Sequence, residues 1–257
     1  MNLDRIIHYK NEVIQFIYHM NDIVLMPFII LTTGLVFLFM HGQRDKPILK
    51  NISIILGFIP VLIHELGHAL TARLTGGKVV DIHMIMTHRE QTKQGAQGYA
   101  KTIPRNRLSA ILMTFMGYIM PPLIFYLGII LILNKLSVIY LLILALGVLF
   151  YLSKTRQIFI PLLMLVVILF TGYDLSIRST SMVNDVLNIG FNVILGLLLG
   201  EMIQSILITG KMCLSRNGSS WDGKTLFKLT FIPSFVWFFI WSGFSVFVIY
   251  KCFYLIY

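Results

Sequence analysis

Residues 54–77 read IILGFIPVLIHELGHALTARLTGG, an apolar run with His64, Glu65 and His68 set inside it. As a helix, the run places His64 and His68 one turn apart on one face, where two imidazoles reach a single zinc ion. Glu65 projects beside them and is placed to take a proton from a metal-bound water. A pair of core histidines with a paired acid would account for the same letters. That account fits poorly, because three ionisable groups in a hydrocarbon-facing helix are costly without a purpose. The glycine pair Gly76-Gly77 is a natural stop for this helix.

The surroundings are those of a membrane protein. Of 257 residues, 57% are hydrophobic and 12% charged, where a soluble domain carries about 25% charged residues. Apolar runs of spanning length recur at 23–40, 54–77, 108–133, 138–152, 158–173, 186–209 and 231–250. The run 138–152 is short for a crossing. The resulting fold class is an all-α polytopic membrane protein of about seven transmembrane helices. A small β-hairpin follows the motif helix: Val79 to Met86 is β-branched and apolar, 87–98 is turn-like, and Tyr99 to Ile103 returns. Residues 78–107 form this polar hairpin loop, and 1–22 reads as an interfacial amphipathic helix. With no internal repeat and no low-complexity linker, 1–257 is a single membrane-embedded domain. No cleavable signal peptide is evident in the first twenty residues, and Cys213 and Cys252 suggest neither a disulfide nor a cysteine zinc site.

The formal charge of +10 sits in the loops between runs, which points to bilayer topology and away from nucleic acid. With seven crossings, most Lys and Arg fall on the side holding the N-terminus, the hairpin and the loop 211–228. The N-terminus of this multi-pass chain is therefore expected in the cytoplasm.

The pentad with the following Ala69-Leu70-Thr71-Ala72 resembles the motif helix of the site-2 protease family of intramembrane zinc metallopeptidases. The Gly76-Gly77-Lys78-Val79 exit, the Gly98-Tyr99 return and Met116-Gly117-Tyr118-Ile119-Met120-Pro121-Pro122 resemble its peptidase M50B-like branch. The resemblance implies Zn2+ on His64 and His68, Glu65 as general base, a third ligand from a later carboxylate, and a membrane protein substrate cut at a peptide bond. The family's Asn-Pro-x-x-Asp-Gly segment is not spelled out here, and three carboxylates compete for its place. Asp174, in a Tyr-Asp pair, is favoured by resemblance. Asp185 has a helix N-cap as its simple explanation. Glu201 lies deep inside a run, where an acid is a functional candidate by default. If the second and sixth runs enter from the same side, Glu201 matches the depth of the histidines, with Asp174 and Asp185 more than about 10 Å nearer the outer face.

Other polar positions have simpler readings. His83 and His88 are solvated hairpin residues, Asn188 and Asn192 hydrogen-bond between helices, and Gly117, Gly128, Gly196 and Gly200 allow close packing. Trp221, Trp237 and Trp241 look interfacial or lipid-facing. Two rival functions remain: a catalytically inactive membrane adaptor, and a transporter with a histidine metal site. The second would more often show paired broken helices in two related halves.

Overall fold

A computed structural model describes residues 22–43, 46–157, 181–215 and 221–256, with 14, 162 and 166 as isolated positions. In chain order the elements are α1 (Pro27–Gly42), α2 (Pro47–Leu74), β1 (Lys78–Met84), α3 (His88–Gln94), β2 (Gly98–Ile103), α4 (Arg107–Leu133), α5 (Ser137–Lys154), α6 (Ser181–Leu214), α7 (Asp222–Thr230) and α8 (Ser234–Ile256). Among the described residues five helices are long and apolar enough to cross a membrane, drawn from α2, α4, α5, α6 and α8. The count of seven is not reached. α1 has only 16 residues, roughly 24 Å at the helical rise, because Pro27 opens it and polar residues follow Gly42. The expected run at 158–173 and the interfacial helix at 1–22 lie outside the described residues.

The centre of the fold is α2 packed on α4. Gly67 sits against the Met116 carbonyl, leaving no room for a Cβ, and the two backbones approach as small residues allow in lipid. Farther along, Thr75 and Ser109 share a hydrogen bond of 2.6 Å. α6 runs antiparallel to α4: Leu195 fits against Gly128, and Glu201 and Met202 come level with Pro121 and Pro122. α1 covers the other side of α6, where Gly196 and Gly200 face Thr33 and Phe37. Asn188 and Asn192 do not bridge two helices as expected. Asn192 accepts from the Met26 N–H at 2.7 Å and donates to the Val24 carbonyl at 2.9 Å, while Asn188 accepts from the Val24 N–H. They pair with the extended backbone ahead of α1, which would otherwise carry unmet polar groups.

The expected hairpin forms, antiparallel from Lys78↔Ile103 to Met84↔Gly98, with an irregularity between Val79 and Asp81. The turn-like stretch between the strands carries α3, capped by Thr87 and ended by Gly95 at φ 68°. The hairpin lies back along α2. Gly77 abuts Ile103, Gly98 abuts Val61, and Gln97 reaches Gly57. From Val61 to the helix end at Leu74 is about 20 Å of helix, so the strands run past His68, Glu65 and His64. Strand backbone at that depth is tolerable because helices cover it. Ile82 and Met84 are fully buried against Phe58, Leu62, Leu66 and Tyr151.

Candidate metal centre

His64 and His68 stand on the α2 face turned toward α4, and their Nε2 atoms meet at 3.1 Å. Two ring nitrogens that close need a shared proton or cation between them. The Nδ1–H of His68 donates to the Met113 carbonyl at 2.7 Å, which leaves its Nε2 lone pair for a metal. Gly117 lies over both imidazoles, where a Cβ would strike His68 and come within 2.9 Å of His64 Cε1. The glycine read as a packing residue is thus the clearance above the two rings.

Among the described residues the third member is Asp222, which is none of the three carboxylates weighed from the sequence. Asp222 Oδ2 lies 3.5 Å from His64 Nε2 and 3.4 Å from His68 Nε2. Among the described residues, His64, His68 and Asp222 are the only group of His, Cys, Asp or Glu side chains close enough to hold one ion. Tetrahedral zinc with bonds near 2.1 Å places its donors about 3.4 Å apart. Separations of 3.1, 3.4 and 3.5 Å therefore fit two imidazoles and one carboxylate on a single zinc, with a fourth position left for water. Asp222 keeps 25% of its side-chain exposure and His64 18%, so that position has an aqueous approach. Burial alone would raise the Asp222 carboxyl, but His68 and His64 beside it outweigh burial and hold it below the usual carboxylate range.

Asp222 reaches the histidines because α7 begins with it, and the N-terminal end of a helix favours a carboxylate. Trp221 and Trp241 are buried behind it, packed with Phe115, Tyr118 and Trp237, and the Trp241 indole N–H donates to the Phe115 carbonyl at 3.1 Å. Trp221 and Trp241 form an internal wedge, so of the two expectations, interfacial or lipid-facing, burial excludes the lipid-facing one for them. Gly223 must be glycine because the Trp221 ring occupies the space of a Cβ. Arg107 Nε donates to the Leu229 carbonyl at 2.7 Å and Ser234 Oγ to the Gly223 carbonyl at 3.0 Å, fixing α7 to α4 and α8.

The other sequence candidates lie elsewhere. Asp185 is exposed near the start of α6. Glu201 accepts a 2.8 Å hydrogen bond from Ser205 and lines a cavity between α4, α6 and α8. Asp174 lies outside the described residues. Glu65 is buried beside the histidines, and the backbone N–H of Ala100 on β2 donates to its carboxylate. On the hairpin, His83 bonds Glu90 at 2.7 Å and stacks on Tyr99, so it is engaged within the hairpin. The signal for Asp222 was the Asp222-Gly223 dipeptide, the second half of the family's segment, standing in a polar loop.

A helical membrane-spanning chain that brings a His-Glu-x-x-His helix and a distant aspartate together has the layout of a membrane metallopeptidase. A family model described as Peptidase M50B-like matches residues 19–252, and the chain belongs to that family. No curated protein and no solved structure matches it.

One consequence concerns Gly117. Gly117→Ala should weaken zinc at least tenfold, the scale on which displaced supporting groups disturb a metal site. Competition with a chromogenic chelator measures this, and zinc binding at wild-type strength would show that the clearance above the rings is not needed.

Proposed function

We propose that this chain is an intramembrane zinc metalloprotease that cleaves a peptide bond of a membrane-embedded or membrane-associated protein. The observation that carries the reading is the convergence of His64, His68 and Asp222 at zinc-donor spacing with Glu65 alongside. Zinc bound there supplies a Lewis acid that polarises a carbonyl oxygen and acidifies a water. His64 and His68 present Nε2, and the Met113 carbonyl fixes the His68 tautomer. Glu65 takes the proton of the attacking water and returns it to the leaving amine. The Ala100 N–H orients the Glu65 carboxylate for both transfers. The intact pentad and the carboxylate on the histidines favour this reading over an inactive adaptor. Basic residues near the hairpin and α7, among them Arg73, Lys78, Lys101, Arg105 and Lys228, support a cytoplasmic reading of that face.

A substrate helix must unwind locally to offer its carbonyl, because its backbone is otherwise bonded within itself. We assign the hairpin as the receiver of the unwound segment by strand addition. The outer edge of β1 already takes such bonds: the Gln157 side-chain amide accepts from the Met84 N–H at 2.8 Å and donates to the Met84 carbonyl at 2.8 Å. By strand alternation the Ile82 N–H points the same way. The test is cleavage of a membrane-embedded reporter in detergent or liposomes. Ile82→Pro, which deletes that N–H, should cut about tenfold more slowly than Ile82→Ala, which loses the same packing but keeps it. Both should retain zinc. Equal rates for the two would remove the β1 edge from the docking path, and no cleavage of any reporter by zinc-loaded wild type would sink the protease reading.

A further inference from the structure

Glu201 is an acid inside a span that the chemistry above leaves unused, and such a residue needs a reason to be there. It lies level with Pro121 and Pro122 of α4 and faces a cavity of about 10 Å³, room for about one water. Tyr118, Ser205, Thr209, Ser242 and Ser245 complete the polar part of its wall, contributed by α4, α6 and α8. The two prolines lack N–H groups, so the carbonyls of Gly117 and Tyr118 have no helical donor at this point. The cavity thus gathers an acid and several hydroxyls within the membrane.

Tyr118 connects that cavity to the metal group. Its ring meets the His64 ring edge-on, with centroids 4.7 Å apart at 84°. Trp241 packs on it at 4.6 Å, and Tyr118 shares the cavity wall with Glu201. His68 is oriented by the Met113 carbonyl, and metal-binding histidines depend on such outer partners. Tyr118 braces His64 in another way, by the contact of its ring. We infer that Tyr118, held by Glu201 across this cavity, is the positioning residue for His64. Ser205 fixes Glu201 through its 2.8 Å bond, and one bridging water completes the link to the Tyr118 hydroxyl. The inference rests on the metal reading of His64, His68 and Asp222.

Zinc affinity measured by chelator competition on the purified chain tests it without relying on activity. Tyr118→Leu removes the ring from His64 and should weaken zinc about 10- to 100-fold. Tyr118→Phe keeps the ring and loses the hydroxyl link, for a loss of several-fold. Glu201→Gln should cost a similar factor alone and nothing further in the Tyr118→Phe background, because both act through one link. If Tyr118→Leu binds zinc within about twofold of wild type, or the Phe and Gln losses multiply, the inference is overturned. Should Tyr118→Leu fail to elute as a single folded species, the Phe and Gln cycle decides alone. Full zinc retention by His64→Ala is a separate result, since it defeats the metal reading itself.

Discussion

Asp222→Asn, His64→Ala and His68→Ala are each expected to weaken zinc by more than about 100-fold, beyond what loss of an outer partner costs. Each removes one of three protein donors whose mutual spacing is 3.1–3.5 Å, and two remaining donors hold zinc poorly at neutral pH. The purified wild type should carry about one zinc per chain. Asp185→Asn should bind as wild type, because Asp185 is exposed on α6 and does not approach the histidines. Glu201→Gln should still fill stoichiometrically when zinc is saturating, because its carboxylate bonds Ser205 and is not a member of the donor group. Asp174→Asn is the sharper comparison, since resemblance favours that residue. Metal analysis of the set decides. Stoichiometric zinc in Asp222→Asn beside loss in Asp174→Asn would overturn the centre described here.

The pentad, the motif helix and the hairpin were legible because each is written locally. Helical spacing puts His64 over His68, the glycine pair ends the run, and the β-branched, apolar stretches at 79–86 and 99–103 contain the two strands that pair, Lys78–Met84 and Gly98–Ile103. Asp222 was not legible in that way. It stands 154 positions after His68 (222 − 68), in a polar segment that hydropathy assigns to a loop, and only packing of α7 on the aromatic wedge brings it inward. Glu201 shows the limit of a depth argument. Hydropathy gives distance along a helix, and Glu201 does lie at the level of the α2–α4 contact. It gives no bearing around the helix, and Glu201 faces α4 and α8 instead of the histidines. The tryptophans fail for a related reason: hydropathy does not say whether an aromatic residue in a run faces lipid or a neighbouring helix, and Trp241 is buried against Phe115 and Tyr118. The span count differs because α1 is too short for a full crossing, and the run at 158–173 falls outside the described residues.

Glu65→Gln is expected to hold zinc at wild-type strength and to cleave a membrane-embedded reporter at least about 10²–10⁴-fold more slowly, the range a positioned general base supplies. Gln keeps the shape of the side chain and an acceptor oxygen for the Ala100 N–H, so the hairpin contact and the packing of α2 on α4 survive. It cannot take a proton from water, nor carry one to the leaving amine. Because Glu65 contributes no donor to the group of His64, His68 and Asp222, the metal content separates this variant from the ligand variants. The four outcomes read cleanly. Zinc present with no cleavage assigns Glu65 its role, and zinc lost with no cleavage makes it a ligand or a structural support. Cleavage near the wild-type rate with zinc present rules out Glu65 as the base. Cleavage without zinc would show that peptide hydrolysis here does not depend on the metal, and the protease mechanism built on these three donors would fall with it.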